Sequence, residues 1–236
     1  MTESIANKFS GKAAIVTGAS SGIGLSIANM LSENGVKVFG IGREFGDVTF
    51  EKVVCDLMDR DLALKCVKDI IAENDVRILV NCAGCAFYGL HENISVDQIT
   101  EMVRVNLEMP LVLTQAVLNQ FKSKGGCHII NISSVTGGKA SPHGAAYGAC
   151  KAGLSAFSLS LYEEARKHGV YVTDVCPDMT ESNLYRNADF GVDDSLEAKL
   201  LPSDVSSCVE SILSMREGTC VSSVKIMPRY NRVKRK

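Results

Sequence analysis

Tyr147 and Lys151 stand four positions apart, a spacing that puts both side chains on one face of a helix, one turn from each other. An ammonium beside a phenol favours the phenolate and pulls a tyrosine pKa of about 10 toward working pH. The pair is therefore equipped for general acid or base work. Such a pair alone is common on helix surfaces. Ser134 gives it weight: it lies 13 residues earlier, at the carboxyl end of an apolar run. In an open parallel sheet ligands bind at that end of the strands.

A second constellation sits near the N-terminus, in Thr17-Gly18-Ala19-Ser20-Ser21-Gly22-Ile23-Gly24. Glycines in such a turn let the backbone approach a diphosphate. The helix that follows offers free N–H groups and a positive dipole end to the same anion. The spacing is G-x-x-x-G-x-G rather than G-x-G-x-x-G. About 20 residues on, where an acid would bind a ribose 2′-hydroxyl, Gly42 and Arg43 stand instead, followed by Glu44. A guanidinium there clamps a 2′-phosphate through charge-assisted hydrogen bonds, which favours NADP(H) over NAD(H). The competing possibility is a solvated surface arginine partly neutralised by Glu44.

The elements needed to position these groups follow from periodicity. Short apolar runs predict strands at Ala13–Thr17, Lys37–Ile41, Lys52–Cys55, Ile78–Asn81, His128–Ile132, Val170–Cys176 and Val224–Met227. Between them, amphipathic stretches predict helices at Gly22–Asn34, Asp59–Asn74, Val96–Lys122, Ala145–His168 and Pro202–Met215. The alternation is that of an α/β fold: a doubly wound, seven-stranded parallel sheet with helices on both faces, α/β/α in three layers. It occupies residues 1–236 as one domain. The least regular stretch, 177–201, reads as short helices forming a mobile lid over a site.

Together these motifs resemble the classical short-chain dehydrogenase/reductase family along essentially the whole chain. Thr17 to Gly24 is similar to the family's cofactor loop, with Gly18, Ser20, Ser21, Gly22, Ile23 and Gly24 as binding residues. Asp56, with Leu57, resembles the acidic position that meets adenine, and Asn81-Cys82-Ala83-Gly84 the family's Asn-Asn-Ala-Gly. Asn106, Ser134, Tyr147 and Lys151 match its catalytic tetrad.

The resemblance implies a metal-free hydride transfer between nicotinamide and a carbonyl or secondary alcohol, most readily an NADPH-dependent carbonyl reductase. Tyr147 would exchange the proton, Ser134 orient the oxygen, Lys151 hold the nicotinamide ribose, and Asn106 help hold a water linking Lys151 to solvent. It also implies a homodimer or homotetramer built on the Val96–Lys122 and Ala145–His168 helices, the small residues of the latter allowing close approach.

Three positions depart from the family pattern. Cys82 replaces an asparagine, and with Cys85 forms either a redox pair or, more simply, two small buried hydrophobes. Asp178 follows Pro177 where glycine is usual, in a segment that runs beside the nicotinamide; its carboxylate contacts substrate or faces solvent. The chain ends in a basic stretch, 229–236, that reads as a solvated, fraying terminus. Substrate-side candidates are Phe87, Thr136, His143, Met179 and Tyr185, a mixture suited to a modest carbonyl compound.

Composition narrows the classes. Apolar residues are 46% and charged residues 22%, which disfavours disorder, and a net charge of −2 disfavours a nucleic-acid surface. No apolar run reaches the roughly 18 residues of a membrane span. The first eleven residues lack the apolar core of a signal peptide. Nine irregularly spaced cysteines fit reduced thiols in the cytoplasm. The readings outside catalysis are a cofactor-binding regulatory or scaffold protein, and an adaptor using the basic tail.

Overall fold

All five residues of β1 (Ala13–Thr17) are buried, the pattern of a parallel strand covered on both faces. The computed structural model describes residues 4–236, so Met1 to Glu3 of the expected leaderless N-terminus lie outside the described residues. The strands that follow are β2 (Lys37–Gly42), β3 (Glu51–Val54), β4 (Val76–Asn81), β5 (Cys127–Ile132), β6 (Val170–Pro177), β7 (Phe190–Val192), β8 (Ser223–Ile226) and β9 (Val233–Arg235). Seven of them form one sheet in the order β3-β2-β1-β4-β5-β6-β8, with every pairing parallel.

The helices are α1 (Ile5–Phe9), α2 (Gly22–Glu33), α3 (Arg60–Glu73), α4 (Val96–Val103), α5 (Met109–Lys124), α6 (Ala145–Ala165) and α7 (Pro202–Leu213). Because strand side chains alternate, β1 feeds two cores. Ala14 and Val16 pack with Ile27 and Leu31 of α2 and Val209 of α7. Ala13 and Ile15 pack with Val67 of α3, Leu113 and Val117 of α5, and Leu161 of α6. The expected three-layer, doubly wound architecture is the one observed.

Two expectations need correction. The helix expected over Val96–Lys122 is broken by a π-helical turn at Arg104–Glu108, centred on the fully buried Asn106. The basic terminus does not fray: β9 pairs antiparallel with β7, so Phe190 faces Arg235 and Val192 faces Val233. Ion pairs Lys234–Asp194 at 2.7 Å and Arg229–Glu197 at 3.0 Å reinforce that pairing. The lid region is built of two 3₁₀ turns, Asn183–Asn187 and Leu196–Ala198, with β7 between them. Among the described residues no helix is long and apolar enough to cross a membrane.

Candidate active site

Strand order reverses between β1 and β4, and there the carboxyl ends of the strands leave a crevice. Thr17, the last residue of β1, ties the crevice together: its Oγ1 accepts the N–H groups of Cys82 at 3.0 Å and Ala83 at 3.1 Å. Gly18 follows with φ +69°, and a Cβ on it would lie 2.8 Å from the Ala83 Cα. A Cβ on Gly24 would strike the Gly18 carbonyl. Only glycine satisfies both positions. Ser21, the N-cap of α2, makes no side-chain cap, so the first-turn N–H groups stay open to an anion.

Two cavities meet at this loop and share Gly18, Ser21, Ala83 and Gly84. The first, about 130 Å³, adds Gly22, Ile23 and Gly24, then Ser134, Tyr147, Lys151, Pro177, Asp178 and Tyr185. The second, about 110 Å³, adds Ser20, Arg43, Asp56 and Leu57. Arg43 is exposed and, among the described residues, makes no ion pair, Glu44 included. Asp56 Oδ1 accepts the Met58 N–H at 2.9 Å, which fixes the turn after β3. A glycine cradle between a basic arm and a Tyr-Lys-Ser arm fits a nicotinamide dinucleotide.

Tyr147 and Lys151 are each 4% exposed on the first turns of α6. Lys151 Nζ donates to the Ile132 carbonyl at 2.8 Å and stands 5.7 Å from the Tyr147 ring centre. Burial lowers Lys151 from the ordinary ammonium value. Burial likewise holds Tyr147 well above the ordinary phenol value, with Tyr88 and Tyr185 pushing the same way and a hydrogen bond with Ser134 pulling it down. The expected depression of Tyr147 by Lys151 is therefore corrected for the protein alone. Desolvation dominates, and it drives both groups toward their neutral forms.

Asn106 and Asn81 line neither cavity. Asn81 Nδ2 bridges Asn131 Oδ1 at 2.8 Å and Thr114 Oγ1 at 3.2 Å, tying β4 to β5 inside the sheet. Asn106 Nδ2 donates to the Cys85 carbonyl at 2.8 Å and the Met102 carbonyl at 2.9 Å. Its Oδ1 is buried without a partner. A Cβ on Gly84 would lie 3.0 Å from that oxygen and 3.8 Å from Lys151 Nζ, so glycine keeps open the gap between the two.

Of the substrate-side candidates only Tyr185 lines the cavity; Phe87, Thr136, His143 and Met179 do not. His143 is exposed, and Phe87 packs into the cluster behind Tyr147. Tyr88, one residue on, belongs to the same cluster, with its ring centre 5.9 Å from Tyr147, 6.2 Å from Tyr185 and 4.9 Å from Phe190. The turn residues Leu184 and Arg186, with Thr180 and Ser182, complete the wall. Cys82 and Cys85 are both free thiols, each pushed up to about 12 by burial, as small apolar residues would be.

Comparison with known proteins agrees with this geometry. A family model described as short chain dehydrogenase matches residues 12–190. An uncharacterized oxidoreductase of Staphylococcus epidermidis is 32% identical over 235 residues, covering 92% of this chain and 97% of the relative. Another, from Staphylococcus saprophyticus, is 30% identical with the same coverage. Among solved structures, a metagenomic short-chain oxidoreductase in complex with NADP superposes with a TM-score of 0.80 at 29% identity, covering 94% of this chain and 99% of the other. The closed form of a serine dehydrogenase complexed with NADP+ gives 0.81 at 26% identity, covering 92% and 94%.

Proposed function

The chain belongs to the short-chain dehydrogenase family of NAD(P)-binding oxidoreductases, and from that premise we propose that it is an NADPH-dependent carbonyl reductase. The observation that carries this reading is the two-armed crevice. One arm ends at Arg43, the other at Ser134, Tyr147 and Lys151, and the glycine loop lies at their junction. Arg43 would hold a 2′-phosphate, Asp56 and Leu57 the adenine end, and the first turn of α2 the diphosphate. Ala83, Gly84 and Pro177 would flank the cofactor, with Asn81 holding the strand ends that place them.

When bound, the nicotinamide supplies or receives the hydride. Ser134 orients the substrate oxygen, and Tyr147 hands its proton to that oxygen in reduction or takes it in oxidation. Lys151 holds the ribose of the cofactor. A water in the gap beside Gly84, between Asn106 Oδ1 and Lys151 Nζ, would return the proton from solvent. Tyr185 lines the cavity and packs with Tyr88 and Phe190, an aromatic cluster that would limit the access of water to the exchange. We further propose a cytoplasmic homodimer or homotetramer packed through α5 and α6, where Leu159 is half-exposed.

Titration of the purified protein with NADPH and NADH, followed by nicotinamide fluorescence, tests cofactor choice without any substrate. NADPH is expected to bind the tighter. In a panel of aldehydes and ketones, Tyr147→Phe is expected to lower turnover by about a thousandfold or more while leaving NADPH affinity within twofold. Undiminished turnover in that variant rules the mechanism out.

A further inference from the structure

Asp178 is the first residue beyond β6, and its backbone N–H donates to the Ile226 carbonyl at 2.9 Å. Of its carboxylate oxygens, Oδ1 accepts the Met179 N–H at 2.9 Å. Oδ2 is buried and has no partner. The neighbouring hydroxyl does not supply one, because Thr180 Oγ1 donates to the Asp178 carbonyl instead, at 2.9 Å. Nor does a cation. Lys151 is engaged with Ile132, Arg186 lies in an exposed turn, and among the described residues no ion pair includes Asp178. Asp178 is half-buried, and a carboxylate oxygen that is itself covered and has no partner among the described residues favours a ligand that brings positive charge near it. The cavity that Asp178 lines is the one that holds Tyr147 and Lys151.

We infer that Asp178 sets the preference of the site for the oxidation state of its cofactor, its carboxylate favouring the cationic, oxidised nicotinamide over the neutral, reduced one. The inference rests on the nicotinamide reading of this cavity. Hydride exchange beside Tyr147 requires the ring to lie in the arm where Asp178 sits, and a negative charge in that arm acts on a ring whose charge differs by one between its two forms. Stabilising the oxidised form makes the bound reduced form a stronger hydride donor, so the residue biases the enzyme toward reduction of carbonyls.

The test uses binding rather than turnover. Kd values for the oxidised and reduced forms of whichever pair binds tighter, NADP(H) or NAD(H), are measured for the wild type and for Asp178→Asn. Fluorescence reads the reduced form, and its displacement reads the oxidised form. Asparagine preserves the volume and the acceptor for Met179 while removing the charge. The ratio of oxidised to reduced Kd is expected to rise on the order of tenfold. Asp178→Gly, which removes the carboxylate entirely, is expected to move the ratio the same way. Affinity for the matching adenosine phosphate, the 2′,5′-bisphosphate for NADP(H) or the 5′-monophosphate for NAD(H), which does not reach the Asp178 arm, is expected to stay constant and reports an intact fold. An unchanged ratio in variants that still bind that adenosine phosphate overturns the inference and leaves the oxidoreductase reading standing. Failure of the wild type to bind either pair overturns both.

Discussion

At the scale of single residues, the site is governed by what burial does to charge. Tyr147 is held above the ordinary phenol value, so its proton stays in place through neutral pH. Proton donation needs that protonated form and proton removal needs the phenolate. Carbonyl reduction is therefore expected to be flat from about pH 6 to 9, whereas alcohol oxidation climbs with pH across the same interval. Initial rates in both directions check the signs. Equal pH profiles in the two directions would remove Tyr147 as the titrating group. Gly24 shows the complementary constraint, that of space. A methyl group there meets the Gly18 carbonyl, which is backbone and has no side chain to move aside. Gly24→Ala is expected to weaken NADPH binding at least about tenfold and to destabilise the fold by about 1–3 kcal/mol, read by fluorescence titration and thermal melting.

At the scale of elements, β5 carries an unusual passenger. His128 is 3% exposed, its two ring nitrogens have no partner, and it stacks on Tyr171 at 4.7 Å with Phe9 edge-on at 5.5 Å. Burial lowers its pKa from 6.5 to about 3, with Lys8 adding to the shift. The unfolded chain thus takes up a proton that the native chain refuses, so stability present above about pH 6.5 is lost as pH falls toward 3. Between pH 8 and 5 that loss amounts to about 2 kcal/mol. His128→Phe keeps the ring packing and is expected to flatten this part of the pH dependence in urea melts; an unaltered slope would acquit His128. The strands and helices themselves were legible because each follows a period. Ala13–Thr17 reads as a buried strand and Gly22–Asn34 as the helix it feeds, observed as Ala13–Thr17 and Gly22–Glu33. The π-turn at Arg104–Glu108 was not legible, since shifting a hydrogen bond by one residue leaves no mark on composition. In the site, Tyr147, Ser134, Lys151 and the glycine loop were readable from spacing. The substrate wall was legible in part: Tyr185 lines the cavity as expected, but the meeting of Tyr185 and Phe190 with Tyr88 joins the lid to the loop after β4, and such a tertiary contact leaves no period in the sequence.

At the scale of the whole molecule, the last strand closes the site from a distance. β9 pairs with β7, Lys236 donates its N–H to the Asp189 carbonyl at 2.8 Å, and its Nζ donates to the Tyr185 carbonyl at 2.6 Å. The two rings that face Tyr88 are thereby anchored by residues far away in sequence. Deleting residues 231–236 is expected to raise KM for a carbonyl substrate severalfold with little change in kcat, and to speed proteolytic cleavage within 183–200. Unchanged protease sensitivity would mean the turns hold themselves. A pairing between residues 190–192 and 233–235 also fixes an order of assembly. A nascent chain emerges N-terminus first, so the glycine loop, Arg43 and Tyr147 leave the ribosome well before Arg235 does. A newly made molecule passes through a stage at which the glycine loop, Arg43 and Tyr147 are already free of the ribosome and Phe190 to Val192 have no strand to pair with.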